Sequence, residues 1–249
     1  MVSWRSTVML LFLPAVANLF SYTALLSLAT MPWVHMQYLV AVIYGQKYPL
    51  LGFSLIFFAY FLTYIQVNYL IPVYVPFLHA AFFYLTLRVA SKFGLSLKGL
   101  VAYRREMVLS DLVVAALLVV VMTPIMYLLF KFFYNAAYGS VSTFLYYSIR
   151  PPWHVAALVV FSFTAGFAEE FIWRGYGVTA VESLARSRRT LKAVVVTSLA
   201  FAVWHVNLFH IIPTMVFGLV YAYVYVKRRT LVPLIMSHTA FNLLSIVLL

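Results

Sequence analysis

The chain contains no cysteine. That excludes disulfides, thiolate metal ligands and a cysteine nucleophile. Acid is nearly absent as well: the five acidic residues are Glu106, Asp111, Glu169, Glu170 and Glu182, against 17 Lys and Arg, which leaves a formal net charge of +12. Charged residues of either sign make up only 9% of the 249 residues, while 65% are hydrophobic. A soluble domain carries about a quarter charged residues and about half apolar ones. With a mean hydropathy of +1.01, the chain is expected to be solvated by lipid. A strong basic balance can mark a nucleic-acid binder. Here the cations fall in short clusters between apolar runs, which fits the loops of a membrane protein better.

About 20 apolar residues at 1.5 Å rise cross a hydrocarbon core. On that measure the expected fold is all-α, a polytopic transmembrane helix bundle with spans near 6–30, 50–70, 72–91, 109–130, 152–180, 192–208, 209–226 and 231–249. The shorter stretch 32–45 is expected to be a ninth crossing or a re-entrant or interfacial piece. The first run follows Arg5 and continues to about Ala29 without a small-x-small cleavage site, so it reads as a span rather than a signal peptide. Pro32, Pro72 and Pro152 are expected at or near helix starts, and Pro14, Pro124 and Pro213 as kinks. Residues 1–108 read as N-terminal spans with a connector, and 109–249 as the functional bundle. The segment 92–108 mixes basic and apolar residues, so it is either an amphipathic surface helix or a solvated loop.

Three basic clusters (Arg88/Lys92/Lys98/Arg104/Arg105, Arg186/Arg188/Arg189/Lys192 and Lys227/Arg228/Arg229) fall on one side of these spans. The positive-inside rule puts that side in the cytoplasm and the C-terminus outside. The expected location is the plasma membrane of a prokaryote.

An ionisable side chain inside a span costs several kcal/mol unless paired, hydrated or neutralised, and it is a functional hypothesis by default. Glu169 and Glu170 both lie within 152–180. Arg174 follows Glu170 at i+4, so the two are expected to pair. Glu169 points about 100° away and is free to face a cavity. His205 ends the run TSLAFAVWH, and His238 and Asn242 share a face of the last span. The sequence has no GxSxG and no HExxH pattern, which argues against a serine elbow or a zincin helix. A carboxylate beside imidazoles suits activation of water, with His and Asn donors for an oxyanion. The same Glu169, His205 and His238 would alternatively hold a divalent metal such as zinc. Both routes lead to amide hydrolysis and require a wet pocket.

AEEFIWRG (168–175) fits EExxxR, FAVWH (201–205) fits FxxxH, and the region 217–242 ends in HTAFN, an HxxxN pattern. In this order and spacing the motifs resemble the family of CAAX proteases and bacteriocin-processing proteins, which includes the Ras-converting type of prenyl endopeptidase. The resemblance covers roughly 150–249. It implies an intramembrane endopeptidase with its site open towards the cytoplasm. It further implies Glu169 as the activator of water, assisted by His205, and His238 with Asn242 as the oxyanion site. Glu170 and Arg174 take supporting roles. The implied partners are a peptide or prenylated protein substrate and the lipid bilayer, with no nucleic acid. A metal-free glutamate mechanism is the preferred one, with no cofactor assured and zinc as the alternative. Two other readings stand beside it: a non-catalytic membrane scaffold of the same family, and a proton- or metal-coupled transporter. The transporter predicts a mirrored polar set in residues 1–100, and none is found there.

His35, His79, His154 and His210 lie outside the motifs and read as ordinary interfacial histidines. On this reading Glu169→Ala and His205→Ala each abolish cleavage, whereas His79→Ala does not. The small-residue run Thr164, Ala165, Gly166 and Ala168 reads as a face for close helix packing.

Overall fold

The computed structural model describes the backbone of residues 3–43, 49–148, 151–205 and 208–248, and the side chains of 3–25, 69–133, 151–205 and 210–246. Among the described residues the chain is helical with no strand. This follows from the composition: in lipid no water satisfies a bare N–H or C=O, so each apolar run must close its own hydrogen bonds.

The elements are α1 (Trp4–Ile43), α2 (Pro49–Lys92), α3 (Leu97–Val101), a 3-10 turn (Arg105–Met107), α4 (Val108–Ser148), α5 (Trp153–Glu169), a π-helical segment (Glu170–Val178), α6 (Thr179–Leu184), α7 (Arg189–Trp204), α8 (Leu208–Arg228) and α9 (Val232–Leu248). α5, the π segment and α6 form one unbroken rod. Five stretches of the described residues are long and apolar enough to cross a membrane: Trp4–Leu25, Tyr69–Lys92, Leu97–Phe133, Trp153–Leu184 and His210–Arg228. Val232–Ile246 is a shorter apolar helix.

The span boundaries differ from the sequence-based ones in two places. Residues 50–70 and 72–91 were expected as separate spans, but α2 runs through both, with Pro72 and Pro76 inside it. Likewise α1 runs through Pro32 into the stretch 32–45, whose residues 44–48 lie outside the described backbone. A proline removes one hydrogen bond and bends a helix, yet it need not end one where neighbouring residues stay apolar and no polar turn follows. Pro124 and Pro213 are interior to α4 and α8, as expected, and Pro152 caps the start of α5.

The three basic clusters meet at one end of the bundle. Arg104 Nη2 donates to the Arg228 carbonyl at 3.3 Å, and Arg228 Nη2 pairs with Asp111 Oδ1 at 2.7 Å. Arg229 Nη1 pairs with Glu182 Oε2 at 2.6 Å. The α8–α9 turn is tied to α3 by Leu231 N donating to the Val101 carbonyl at 3.0 Å and by Thr230 Oγ1 donating to the same oxygen at 3.2 Å. Segment 92–108 is therefore a built corner. Ser96 caps α3 by accepting from Gly99 N at 3.1 Å, and Ala102 leaves the helix in the left-handed region at φ 50°.

Close packing beneath this corner sets the distance between the helices that carry the acids and the imidazoles. At Gly166 an added Cβ would collide with Thr239 Oγ1 and sit 3.0 Å from Thr239 N and 3.1 Å from the Ile235 carbonyl. The α5–α9 approach thus requires glycine, as the small-residue run implied. Trp173 is fully buried and donates Nε1–H to the Leu11 carbonyl at 3.3 Å, locking the rod to α1.

Candidate active site

Glu169 and Glu170 sit at the junction of α5 with the π segment, near the middle of the Trp153–Leu184 stretch. The π geometry holds an extra residue per turn, a rare form that recurs at functional sites. All nine of its residues are buried. Glu170 is fully buried and Glu169 is 2% exposed. A pair of carboxylates so placed needs donors, and Oε1 of each finds them, whereas Glu170 Oε2 is buried with no hydrogen-bond partner among the described residues.

Glu170 Oε1 accepts from Arg174 Nη1 at 3.2 Å, the i, i+4 pair expected from the sequence, and from His238 Nδ1 at 2.7 Å. The Arg174 guanidinium also lies 4.2 Å from the Phe201 ring centroid, so its planar charge is stacked as well as paired. Because Nδ1 of His238 is engaged by Glu170, its Nε2 is turned to the other acid, 3.7 Å from Glu169 Oε2. That gap is too long for a direct hydrogen bond and short enough to be bridged through one small polar group. Phe217 packs on the His238 ring at 4.8 Å between centroids and holds it in place.

His205 sits just past the last turn of α7. Its Nδ1 lies 3.0 Å from the Phe201 carbonyl. A carbonyl can only accept, so Nδ1 carries the proton and a neutral His205 keeps its lone pair on Nε2. The charge on Glu169 interacts with the imidazoles of His79, His238 and His205 together. Asn242 lies one turn beyond His238 on α9 and, with His205, is among the more exposed members of the set. The two acids are therefore closed in, while His205 and Asn242 are partly exposed.

Two residues join Glu169 that the sequence reading left out. His79 is 1% exposed, and its Nε2 lies 2.9 Å from Glu169 Oε1. Trp204 donates Nε1–H to the same oxygen at 2.9 Å. His79 was expected at an interface; instead it sits inside the bundle on α2, bonded to the acid. A fully apolar neighbourhood (IPVYVPFLHAAFF) around one imidazole was the available signal, since an unpartnered imidazole there is costly. Trp204 was visible inside FAVWH but reads as bulk. Its carbonyl accepts from Asn18 Nδ2 at 2.9 Å, and Asn18 Oδ1 accepts from Tyr74 Oη at 3.1 Å, so α1 and α2 both brace this tryptophan. His154 meets Tyr69 edge to face, and His210 meets Phe130 in the same way and lies 6.4 Å from His205 between ring centroids. The side chain of His35 lies outside the described residues.

Among the described residues no three His, Asp or Glu side chains are grouped as metal ligands. The nitrogens nearest the acids, His79 Nε2 and His238 Nδ1, are bonded to the carboxylates themselves. In this arrangement the imidazoles serve as partners of the carboxylates.

Residues 151–244 match the family model described as Rce1-like, Type II CAAX prenyl endopeptidase Rce1-like. The match holds all three motif regions, from Glu169, Glu170 and Arg174 through His205 to His238 and Asn242, and it excludes α1 to α4. No curated protein and no solved structure matches the chain.

Proposed function

We propose that this chain, whose residues 151–244 match the Rce1-like CAAX prenyl endopeptidase model, is an intramembrane endopeptidase of that kind and cleaves a peptide bond with water activated by Glu169. The observation that carries the reading is the asymmetry of the Glu169 carboxylate. Oε1 is held by two donors, while Oε2 faces His238 Nε2 across 3.7 Å. A base needs one oxygen fixed and the other open to the proton it removes.

In the proposed reaction Glu169 Oε2 takes a proton from water, and the water oxygen bonds to the scissile carbonyl carbon. The carbonyl electron pair moves onto oxygen. His238 and the Asn242 amide donate to this oxyanion. His238 can donate from Nε2 only when doubly protonated, because Nδ1–H already serves Glu170. The fully buried Glu170 carboxylate stabilises that imidazolium, so Glu170 is the positioning residue for His238. His205 orients the water through Nε2, with Nδ1 held by the Phe201 carbonyl. Collapse of the intermediate breaks the C–N bond, and the leaving nitrogen takes the proton from Glu169. The products are a carboxylic acid and an amine, which become carboxylate and ammonium once the acid's proton passes to the amine.

The substrate class proposed is a peptide with a prenylated C-terminus. The basic end of the bundle is assigned to the cytoplasm from its charge. A membrane-associated peptide without a prenyl group is the second substrate class.

The test is Glu169→Gln in purified, lipid-reconstituted protein, with a quenched farnesylated CAAX peptide as substrate. Gln keeps an acceptor for His79 and Trp204, so folding is retained. The rate is expected to fall by at least about 10³-fold, as when a residue essential to the chemistry is lost. Undiminished cleavage by this variant overturns the assignment of Glu169 as base. Folded wild-type protein that cleaves neither prenylated nor unprenylated peptides points to the scaffold reading.

A further inference from the structure

The donors on Glu169 Oε1 come from two sides of the chain. Trp204 belongs to the segment that matches the family, but His79 lies on α2, well outside 151–244. Its ring is fixed at both nitrogens. Nε2 meets Glu169 Oε1 at 2.9 Å, and Nδ1 meets Thr164 Oγ1 at 3.2 Å. The Thr164 hydroxyl donates its hydrogen to the Phe161 carbonyl at 3.0 Å. Its oxygen is then left as an acceptor, so His79 Nδ1 is the donor in that bond, and Nε2 donates to the Glu169 carboxylate from the doubly protonated ring, as an imidazolium paired with a carboxylate. The ring is flanked by Phe161 and Trp204, each 5.7 Å away between centroids. Nothing in this arrangement lets the imidazole turn without losing both bonds.

Trp204 Nε1–H can only donate. Oε1 therefore accepts from Trp204 and faces His79 Nε2 on its other side, which occupies both of its lone-pair directions. A carboxylate otherwise rotates broadly about its terminal torsion. Clamping one oxygen between two rigid rings decides which oxygen is left for chemistry.

Resting on the proposed peptidase reading, we infer that His79 is a positioning residue of this site: from α2, with Thr164 behind it and Trp204 beside it, it pins Glu169 Oε1 and presents Oε2 to water. The α2 helix is thus part of the catalytic apparatus, and the matched segment is incomplete without it. His79 does not touch substrate. It acts on kcat by keeping the base aimed, and substrate binding is left to other surfaces.

The experiment compares His79→Phe, His79→Gln and Thr164→Val with wild type and Glu169→Gln, all in lipid nanodiscs with the farnesylated quenched peptide. Phe keeps the ring and its packing but offers no donor. Gln places an N–H near the position of Nε2. The expected result is a fall in kcat of about 10–100-fold for His79→Phe with KM within about twofold, the scale found when a partner orienting an active group is removed. His79→Gln is expected to recover most of that loss. Thr164→Val, nearly the same shape, loses only the acceptor behind Nδ1 and is expected to lower kcat about 3–10-fold at unchanged KM; this variant decides the matter if both His79 variants fail to fold. Wild-type kcat in folded His79→Phe, or in Thr164→Val, overturns the inference while an inactive Glu169→Gln keeps the peptidase reading intact. Full activity in Glu169→Gln, or none in wild type, overturns both together.

Discussion

Replacing Glu170 by Gln removes the negative partner of a guanidinium that has nowhere else to go. The Glu170 and Arg174 side chains are 0% and 1% exposed, and Nη1 lies 3.2 Å from Oε1. At an effective dielectric near 20, two unit charges at that separation attract by about 5 kcal/mol. Breaking a buried pair by removing one member costs about 3–5 kcal/mol, because the other charge stays desolvated and unpaired. For a chain of this size about 1 kcal/mol moves the midpoint by about 2–4 °C, so Glu170→Gln is expected to melt about 6–20 °C lower. The double variant Glu170→Gln/Arg174→Met removes both charges and is expected to regain most of that stability, since an apolar replacement of a buried pair is often neutral. It is not expected to regain cleavage, because His238 Nδ1 has still lost its charged acceptor at 2.7 Å. Thermal unfolding followed by tryptophan fluorescence in one detergent, with cleavage measured on the same preparations, separates the two effects. A Glu170→Gln protein with the wild-type midpoint, or a double variant as unstable as the single one, would refute the reasoning.

Gly166→Val is expected to force α5 from α9, since even a Cβ meets Thr239 and the Ile235 carbonyl. Overpacking of this kind costs about 1–3 kcal/mol, and it draws His238 away from both acids, so the melting point and cleavage should fall together. Incubation with a strong zinc chelator is expected to leave cleavage unchanged; loss that added zinc restores would instead assign Glu169, His205 and His238 as ligands. Because the chain has no cysteine, single-cysteine variants report orientation directly. Lys98→Cys and Arg188→Cys at the basic end should react with a membrane-impermeant maleimide only after the cell is opened, and labelling of intact cells would reverse the topology.

Much of this protein is written in one dimension. Lipid solvation follows from composition, because no arrangement of so few charges could cover a soluble surface. Helix follows from lipid solvation, because the bilayer satisfies no backbone group. The Glu170–Arg174 pair was legible because four residues on a helix always bring side chains to one face, and it survives the change to π geometry. His238 with Asn242 was legible for the same reason. The need for glycine at 166 was legible as a small-residue run, though only the facing Thr239 shows what the space is for.

Other features depended on sequence-distant helices meeting. Whether Pro72 ends a helix or lies within one is set by the apolar residues on both sides, so α2 continues where two spans were expected. His79 and Glu169 are 90 positions apart, and no local period links them. Asn18 reaches the Trp204 carbonyl across 186 positions, and Tyr74 reaches Asn18 across 56. The sequence by itself determined which chemical groups would be buried in lipid and which neighbours one turn away would share a face. The tertiary structure decided which oxygen of Glu169 is held and which is left open. That choice depends on donors from α2 and α7 arriving at one atom, and local spacing cannot encode an approach between helices that only packing brings about.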